Sequence, residues 1–210
     1  MEKKLIYGCC INDSVGEVSH RVNGKQITDR IFATWRSMIQ RAYDPKLHEK
    51  FPTYVGCSVH EHWRRFSKFK LWMENQNYVN LYLDKDILIE GNKEYGPETC
   101  AFVPKEINQL LHIKSSNRDV PVGVFVKIRG QSKRYIATIC ENGLGRHLQS
   151  FECEKEAHKA WQEEKADVIE RTVNKYAKTC EFNTQVADAL MSRVWKLRLH
   201  AFLGVETKNL

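Results

Sequence analysis

The segment from Leu83 to Asn108, LDKDILIEGNKEYGPETCAFVPKEIN, constrains the fold more than any other part of this 210-residue chain. An apolar run ends there in two acids that flank a lysine, at positions 84–86. The Gly-Asn pair in the polar stretch that follows is typical of a turn. Pro104 fits the first turn of a helix, where its missing N–H costs nothing. The segment therefore predicts two short strands around a loop, followed by a helix that carries Asn108.

Hydrophobic periodicity predicts the other elements of the chain. Residues 1–30 read as an irregular or hairpin-like lead-in. Helices are expected at 31–43, 58–76, 104–113, 154–175 and 183–203, strands at 122–129, 133–140 and 146–151, and a polar linker at 114–119. The resulting fold class is α+β, with a three-stranded antiparallel sheet that is covered by a helix and followed by a C-terminal helix.

Composition excludes several classes of protein. No apolar run approaches the roughly 20 residues that a membrane-spanning helix needs, and the N-terminus lacks the apolar core of a signal peptide. The seven cysteines are odd in number and scattered, which disfavours a disulfide framework. We therefore expect a cytoplasmic protein with no membrane partner.

Charge is distributed in blocks. The net charge of the chain is +7, with +4 over residues 118–151, −4 over 152–170 and +4 over 171–210. A basic sheet followed by an acidic helix indicates that the sheet faces a polyanion while the helix faces solvent. Chance clustering on a solvated surface is the alternative.

Alternation along the strands sorts the side chains of the predicted sheet onto two faces. One face carries Val124, Val126, Ile128, Tyr135, Ala137 and Ile139, which can bury against the helix that contains Ala157 and Trp161. The other face carries mostly polar and cationic residues. Our predicted DNA contacts are Phe125, Lys127, Arg129, Lys133, Arg134, Thr138 and His147. A β-sheet of this kind can enter the major groove, which is about 12 Å wide.

The sequence GVFVKIRGQSKRYIATI…LGRHLQSFECEKEAHKAW resembles an AP2-type DNA-binding domain of phage and mobile-element proteins, over residues 120 to about 170. Gln149 stands where that family usually has glycine. The segment 34–108 resembles the phage HNH endonucleases that are fused to AP2 domains. Its matching pieces are TWRSMIQRAYD, PTYVGCSVHEHW, FSKFKLWM, LDKDIL and GNKEYGPETCAFVPKEIN.

The two resemblances imply a domain plan. They imply an HNH-like ββα-metal nuclease domain at 31–115 and an AP2-like domain at 118–176. The lead-in at 1–30 precedes these domains, and a C-terminal helix at 177–210 follows them. If the chain is encoded by a phage, its location is the cytoplasm of the host.

The HNH resemblance also implies site residues. Asp84 matches the first metal ligand and Asn108 the second, for Mg²⁺ or Mn²⁺. Lys85 stands where the family has its general-base histidine, and Thr99 where it has a structural asparagine. Asp86 is an extra acid close by. A lysine of ordinary pKa, about 10.4, is a poor base, so His60, His62 or metal-bound water is the alternative.

Cys57 and His60 have the spacing of half a zinc site, which Cys100 or His62 could complete. A reduced buried Cys57 beside a surface His60 is the alternative to this structural Zn²⁺ site.

Three functions remain open at this stage. The first is a metal-dependent endonuclease that nicks or cuts double-stranded DNA. The second is a sequence-specific DNA-binding protein on a catalytically degenerate HNH scaffold, which the lysine at position 85 favours. The third is a phage factor that binds a host protein. The apolar stripe of the helix at 183–203 could form a homodimer seam, or it could pack internally.

Overall fold

The computed structural model describes residues 5–16, 18–113, 120–141 and 143–210, so the predicted linker at 114–119 lies outside the described residues. The fold is a mixed α+β fold with helices and a three-stranded antiparallel sheet, as predicted. The chain divides into two compact units, Met1–Val103 and Pro104–Leu210.

The first unit combines helices with three pairs of short strands. Its elements are β1 (Ser19–Val22), β2 (Lys25–Thr28), α1 (Arg30–Tyr43), α2 (Pro45–Lys50), β3 (Ser58–Val59), α3 (Phe66–Glu74), β4 (Tyr82–Asp84), β5 (Glu94–Tyr95) and β6 (Ala101–Val103). Strand β1 pairs antiparallel with β2, β3 pairs parallel with β5, and β4 pairs antiparallel with β6.

Helix α1 begins where the sequence predicts. The Asp29 carboxylate caps its first turn by accepting the Phe32 N–H at 2.9 Å. The predicted apolar stripe is buried, and Trp35 at its centre donates its indole N–H to the Trp63 carbonyl at 2.7 Å. This bond satisfies the polar atom of a fully buried tryptophan and fixes α1 in the core of the first unit.

The helix predicted over 58–76 is wrong in its first half. Ser58 and Val59 form a strand, residues 61–64 form a 3₁₀ turn, and α3 begins only at Phe66. Ser58 and Val59 pair with Glu94 and Tyr95 instead of entering a helix. Asp13 accepts both the backbone N–H and the hydroxyl of Ser67, each at 2.8 Å. These bonds satisfy the start of α3 at that position.

The second unit contains α4 (Lys105–Leu110), β7 (Val124–Arg129), β8 (Ser132–Glu141), β9 (Leu144–Phe151), α5 (Glu154–Tyr176) and α6 (Thr184–Leu203). The three strands form one antiparallel sheet in the order β7-β8-β9. Both α5 and α6 match predicted helices. The stripe of α6 that includes Leu190, Val194 and Leu197 is fully buried, while the homodimer stays a prediction.

Burial confirms the predicted inward-facing residues near the centre of the sheet, but not the one at the end next to the β7–β8 turn. Val124, Ala137 and Ile139 are buried, as is Trp161 on α5. Ile128, predicted to bury with them, is 68% exposed. It is paired with Lys133 next to the β7–β8 turn, so this end of the sheet remains in solvent.

No helix in the described part of the chain is both long enough and apolar enough to cross a membrane.

Candidate metal site and nucleic-acid interface

Strands β4 and β6 place Asp84 at the end of a short antiparallel ladder. Leu83 pairs with Phe102 and Asp84 pairs with Ala101. One carboxylate oxygen of Asp84, Oδ1, accepts the backbone N–H of Asp86 at 2.7 Å and that of Ile87 at 2.9 Å. Burial raises the pKa of the Asp84 carboxyl, and the two N–H groups oppose that shift. The carboxylate is thus fixed in direction by the backbone that follows it.

Lys85 points into the first unit. Its side chain is only 6% exposed, and its ammonium donates to the Asp86 carboxylate and, at 3.0 Å, to the Asn92 carbonyl. The ammonium also lies 5.8 Å from the centroid of the Tyr95 ring. A buried charge requires partners of this kind. Lys85 therefore holds together the loop after β4, because both of its hydrogen-bond partners, Asp86 and Asn92, belong to that loop.

Asn92 is a structural residue that position matching misses. Its amide donates to the carbonyls of Lys85 and Glu94, each at 2.7 Å, and its side-chain oxygen accepts the Glu94 N–H at 3.1 Å. Gly91 before it has a positive φ of 73°, which glycine adopts without strain. We call these three hydrogen bonds the Asn92 clasp. The Gly-Asn pair, which predicts a turn, is the sequence feature that could have identified it.

Thr99, which stands where the resemblance places an asparagine, closes the other side of the same loop. Its hydroxyl donates to the Glu94 carbonyl at 2.8 Å. Cys100 beside it is buried, and desolvation raises the pKa of its thiol to about 12.

The two candidate histidines occupy different surroundings. The His60 N–H donates to the Tyr95 carbonyl at 2.9 Å. A Cβ added at Gly96 would come within 3.2 Å of the His60 Cβ and 3.3 Å of the Thr99 hydroxyl, so His60 and Thr99 flank Gly96. The His62 side chain is 71% exposed and lies 3.8 Å from Glu61. The fold therefore brings His60 beside Gly96 and Thr99 in the β4–β6 loop, and the His62 ring lies 5.1 Å from the His60 ring.

Asn108, the other predicted metal ligand, lies on α4 in the second unit, where its N–H donates to the Pro104 carbonyl at 3.0 Å. Among the residues that the structure describes, no group of three or more His, Cys, Asp or Glu side chains is placed to hold a metal ion. Both the Mg²⁺ or Mn²⁺ site and the zinc site of Cys57, His60 and Cys100 stay predictions.

The outer face of the three-stranded sheet gathers six of the seven predicted DNA contacts. Strand register places Lys127 opposite Arg134, and Thr138 opposite His147. Phe125 and Arg129 alternate with Lys127 on β7 and share its face. We refer to Phe125, Lys127, Arg129, Arg134, Thr138 and His147 as the outer face.

Lys133 differs from the other six because its strand position places it on the opposite face, 5.0 Å from the centroid of the Tyr135 ring. Phe125 on the outer face is 48% exposed, so this part of the edge strand β7 is open to solvent. Arg134 pairs with Glu152 at 2.9 Å. Within the described residues, Lys127 and Arg129 have no acidic partner. The outer face thus carries cations beside an exposed aromatic ring.

Comparison of the chain with family models, with curated proteins and with solved structures finds no match to any of them.

Proposed function

We propose that the protein binds double-stranded DNA through the outer face of its three-stranded sheet. The observation that carries this proposal is the pairing of Lys127 with Arg134, both of which are exposed to solvent. Cations at this spacing can neutralise successive phosphates, which is the main source of affinity for DNA. Phe125, which pairs with Ile136 farther along the same face, offers an apolar contact of the kind that thymine methyl groups accept.

Two further features support this proposal. The resemblance of residues 120–170 to AP2 domains implies the same surface and the same partner. The acids of α5 lie on the other side of the sheet, where Glu164 pairs with Arg146 and Arg171. The negative charge of the acidic helix is therefore partly neutralised away from the proposed DNA surface.

The test is a titration of a fluorescent duplex at several salt concentrations. Lys127→Ala and Arg129→Ala should each weaken binding and lower the slope of log affinity against log salt by roughly 0.9 per lost phosphate contact. Lys133→Ala is the matched control, since this lysine is on the opposite face and should leave the slope unchanged. An equal effect of all three substitutions would contradict the assignment of the outer face.

A second function, cleavage of the bound DNA, is favoured by the β4–β6 loop. Asp84 is held there by two backbone N–H groups, and His60 lies beside Thr99 at the same loop. Two antiparallel strands followed by α4 give the strand–strand–helix order that the HNH resemblance implies. We propose that Lys85 holds this loop together and that His60 is the base.

The donor atoms of Asp84 fit a hard divalent cation, because Mg²⁺ and Mn²⁺ prefer carboxylate oxygens. When bound, such a cation stabilises negative charge on the scissile phosphate and on the leaving oxygen. The role of His60 would be to accept a proton from the attacking water.

Cleavage is tested with supercoiled plasmid in Mg²⁺ or Mn²⁺. We expect Asp84→Ala and His60→Ala to lower the nicking rate by at least about 100-fold, which is the scale of a general base. His62→Ala is the control and should retain the rate. A rate that Asp84→Ala leaves unchanged would refute the metal assignment. Tight binding without any nicking would leave DNA binding as the whole function.

A further inference from the structure

The hairpin of β1 and β2 is an isolated and exposed structural element. It projects from the start of α1, where the Asp29 N–H donates to the Val18 carbonyl at 2.9 Å. Every residue from His20 to Ile27 is exposed, so neither face of the hairpin is buried. A two-stranded ribbon in this state gains little from packing. The exposed side chains of the hairpin can therefore contact a partner.

The turn of this hairpin defines its register. Asn23 and Gly24 have φ values of 49° and 77°, both in the left-handed region that a type I′ turn requires. This turn fixes the pairing of Arg21 with Gln26 and of Val22 with Lys25. The four-residue strands span about 14 Å, at about 3.4 Å per residue, a length comparable with the width of the major groove.

The two faces of the hairpin differ in chemistry. One face carries Ser19, Arg21, Gln26 and Thr28, all of which can form hydrogen bonds. The Gln26 amide already donates to the Ser19 hydroxyl at 3.1 Å, which orients it. The other face carries His20, Val22, Lys25 and Ile27. From Ser19 to Thr28 the charged residues are Arg21 and Lys25, so the hairpin itself has a net charge of +2, between Glu17 and Asp29.

We infer that the β1–β2 hairpin is a second DNA-reading element, which inserts its Arg21–Gln26 face into the major groove of duplex DNA. This inference rests on the proposed DNA binding and extends it to the first unit. Arginine recognises the O6 and N7 atoms of guanine, and glutamine recognises the N6 and N7 atoms of adenine. Neighbouring Arg21 and Gln26 would read a short sequence. Lys25, on the other face near the turn, would contact phosphate.

The experiment uses the full chain and a duplex site selected from a random pool by the wild-type protein. Arg21→Ala and Gln26→Ala should each weaken binding to the selected duplex by about tenfold, the scale of one bidentate base contact. They should change binding to an unrelated duplex by less than about threefold. Lys25→Ala is the matched control, and it should weaken both duplexes equally and lower the salt slope.

The outcomes separate this inference from the proposed function. If Lys127→Ala weakens binding while Arg21→Ala and Gln26→Ala have no effect, DNA binding stands and the hairpin assignment is wrong. If Arg21→Ala and Gln26→Ala weaken both duplexes to the same extent, the hairpin contacts only phosphates and base reading is overturned. If the wild-type chain binds no duplex, both proposals fall. Circular dichroism of each variant checks that the fold is retained.

Discussion

Single residues that satisfy buried backbone groups determine the local structure around the candidate site. Asn92 bonds to three backbone groups, and Lys85 is buried against the loop that Asn92 closes. Both residues act through hydrogen bonds within the protein. Their effect is to hold the chain between β4 and β5 in one conformation, which fixes the direction of the Asp84 carboxylate.

The first prediction concerns this clasp. Asn92→Ala should lower the free energy of unfolding by about 2–3 kcal/mol, because it removes three hydrogen bonds to partly buried backbone groups. Asn75→Ala is the matched control, since Asn75 is exposed and its amide makes one bond, to the Leu71 carbonyl at 2.7 Å. Its effect should stay below about 1 kcal/mol. Urea unfolding of both variants measures the difference, and equal effects would contradict the clasp.

The second prediction concerns Gly123, which precedes β7. Its φ is 79°, and a Cβ at this position would overlap the Trp161 ring on α5. Gly123→Ala combines left-handed strain with overpacking and should destabilise the second unit by about 3 kcal/mol. Gly130→Ala has the strain alone, at φ 57° with nothing near the added atom, and should cost about 1–2 kcal/mol.

Thermal unfolding followed by tryptophan fluorescence compares these two variants. If Gly130→Ala lowers the midpoint as much as Gly123→Ala, the close approach of Trp161 does not contribute.

At the scale of elements, the final residues of the chain are bound to α5 and α6 by a buried polar network. The Gln162 amide donates to the Val205 carbonyl and to the Thr207 hydroxyl, each at 2.9 Å. His158 accepts the Thr207 N–H on Nε2 at 3.0 Å. Its Nδ1 must then carry the proton, and it donates to the Val122 carbonyl at 2.8 Å. His158 is thus neutral in the folded protein.

The third prediction follows from this neutral histidine. Burial lowers the pKa of His158 below the ordinary 6.5, against the weaker effect of the Val122 carbonyl and of Glu206. His200 nearby also lowers the pKa. Below pH 6.5 the unfolded chain binds more protons than the folded chain, so stability that is present above pH 6.5 is lost as the pH falls.

Denaturant unfolding between pH 5 and pH 8 tests this dependence. The loss of stability below pH 6.5 should be smaller in His158→Leu than in wild type, although the variant is less stable at pH 8. His62→Leu, at an exposed position, should follow the wild-type profile. An unchanged pH dependence in His158→Leu would show that other groups cause the loss.

The sequence predicts elements well where local periodicity and burial agree. Helices α1, α5 and α6 and the β7–β9 sheet were all expected from spacing alone. Strand β5 was not, because Glu94 and Tyr95 pair with Ser58 and Val59, more than 30 residues earlier. The same pairing prevents residues 58–59 from joining a helix, which is why the prediction over 58–76 failed.

The candidate site shows the same limit at shorter range. Position matching identifies Asp84 and Lys85, and their types are compatible with metal or phosphate chemistry. It does not predict that Lys85 is buried, because burial depends on Asn92 and Tyr95 in a loop whose path the sequence does not specify. Local charge patterns therefore located the loop, and only its three-dimensional contacts distinguish the buried lysine from a surface one.

At the scale of the whole molecule, the boundary after Val103 assigns α4 to the second unit. Lys165 on α5 is buried, and its ammonium donates to the Leu110 carbonyl at the end of α4 at 2.6 Å. Burial lowers the pKa of Lys165 to about 8. A cation at the C-terminus of a helix is favourable. Ile107 and Leu110 of α4 are also buried, so α4 is part of the structure of this unit.

The fourth prediction is that residues 104–210 fold as an independent and cooperative unit, whereas residues 120–210 fold less stably. Removing α4 takes away the Leu110 carbonyl that accepts from the Lys165 ammonium, a loss that costs about 1–3 kcal/mol. Lys165→Met should therefore raise the melting midpoint of the 120–210 fragment and lower or leave unchanged that of the 104–210 fragment. Circular dichroism melts of the four proteins measure this reversal. If Lys165→Met shifts both fragments in the same direction by the same amount, Lys165 does not act through α4.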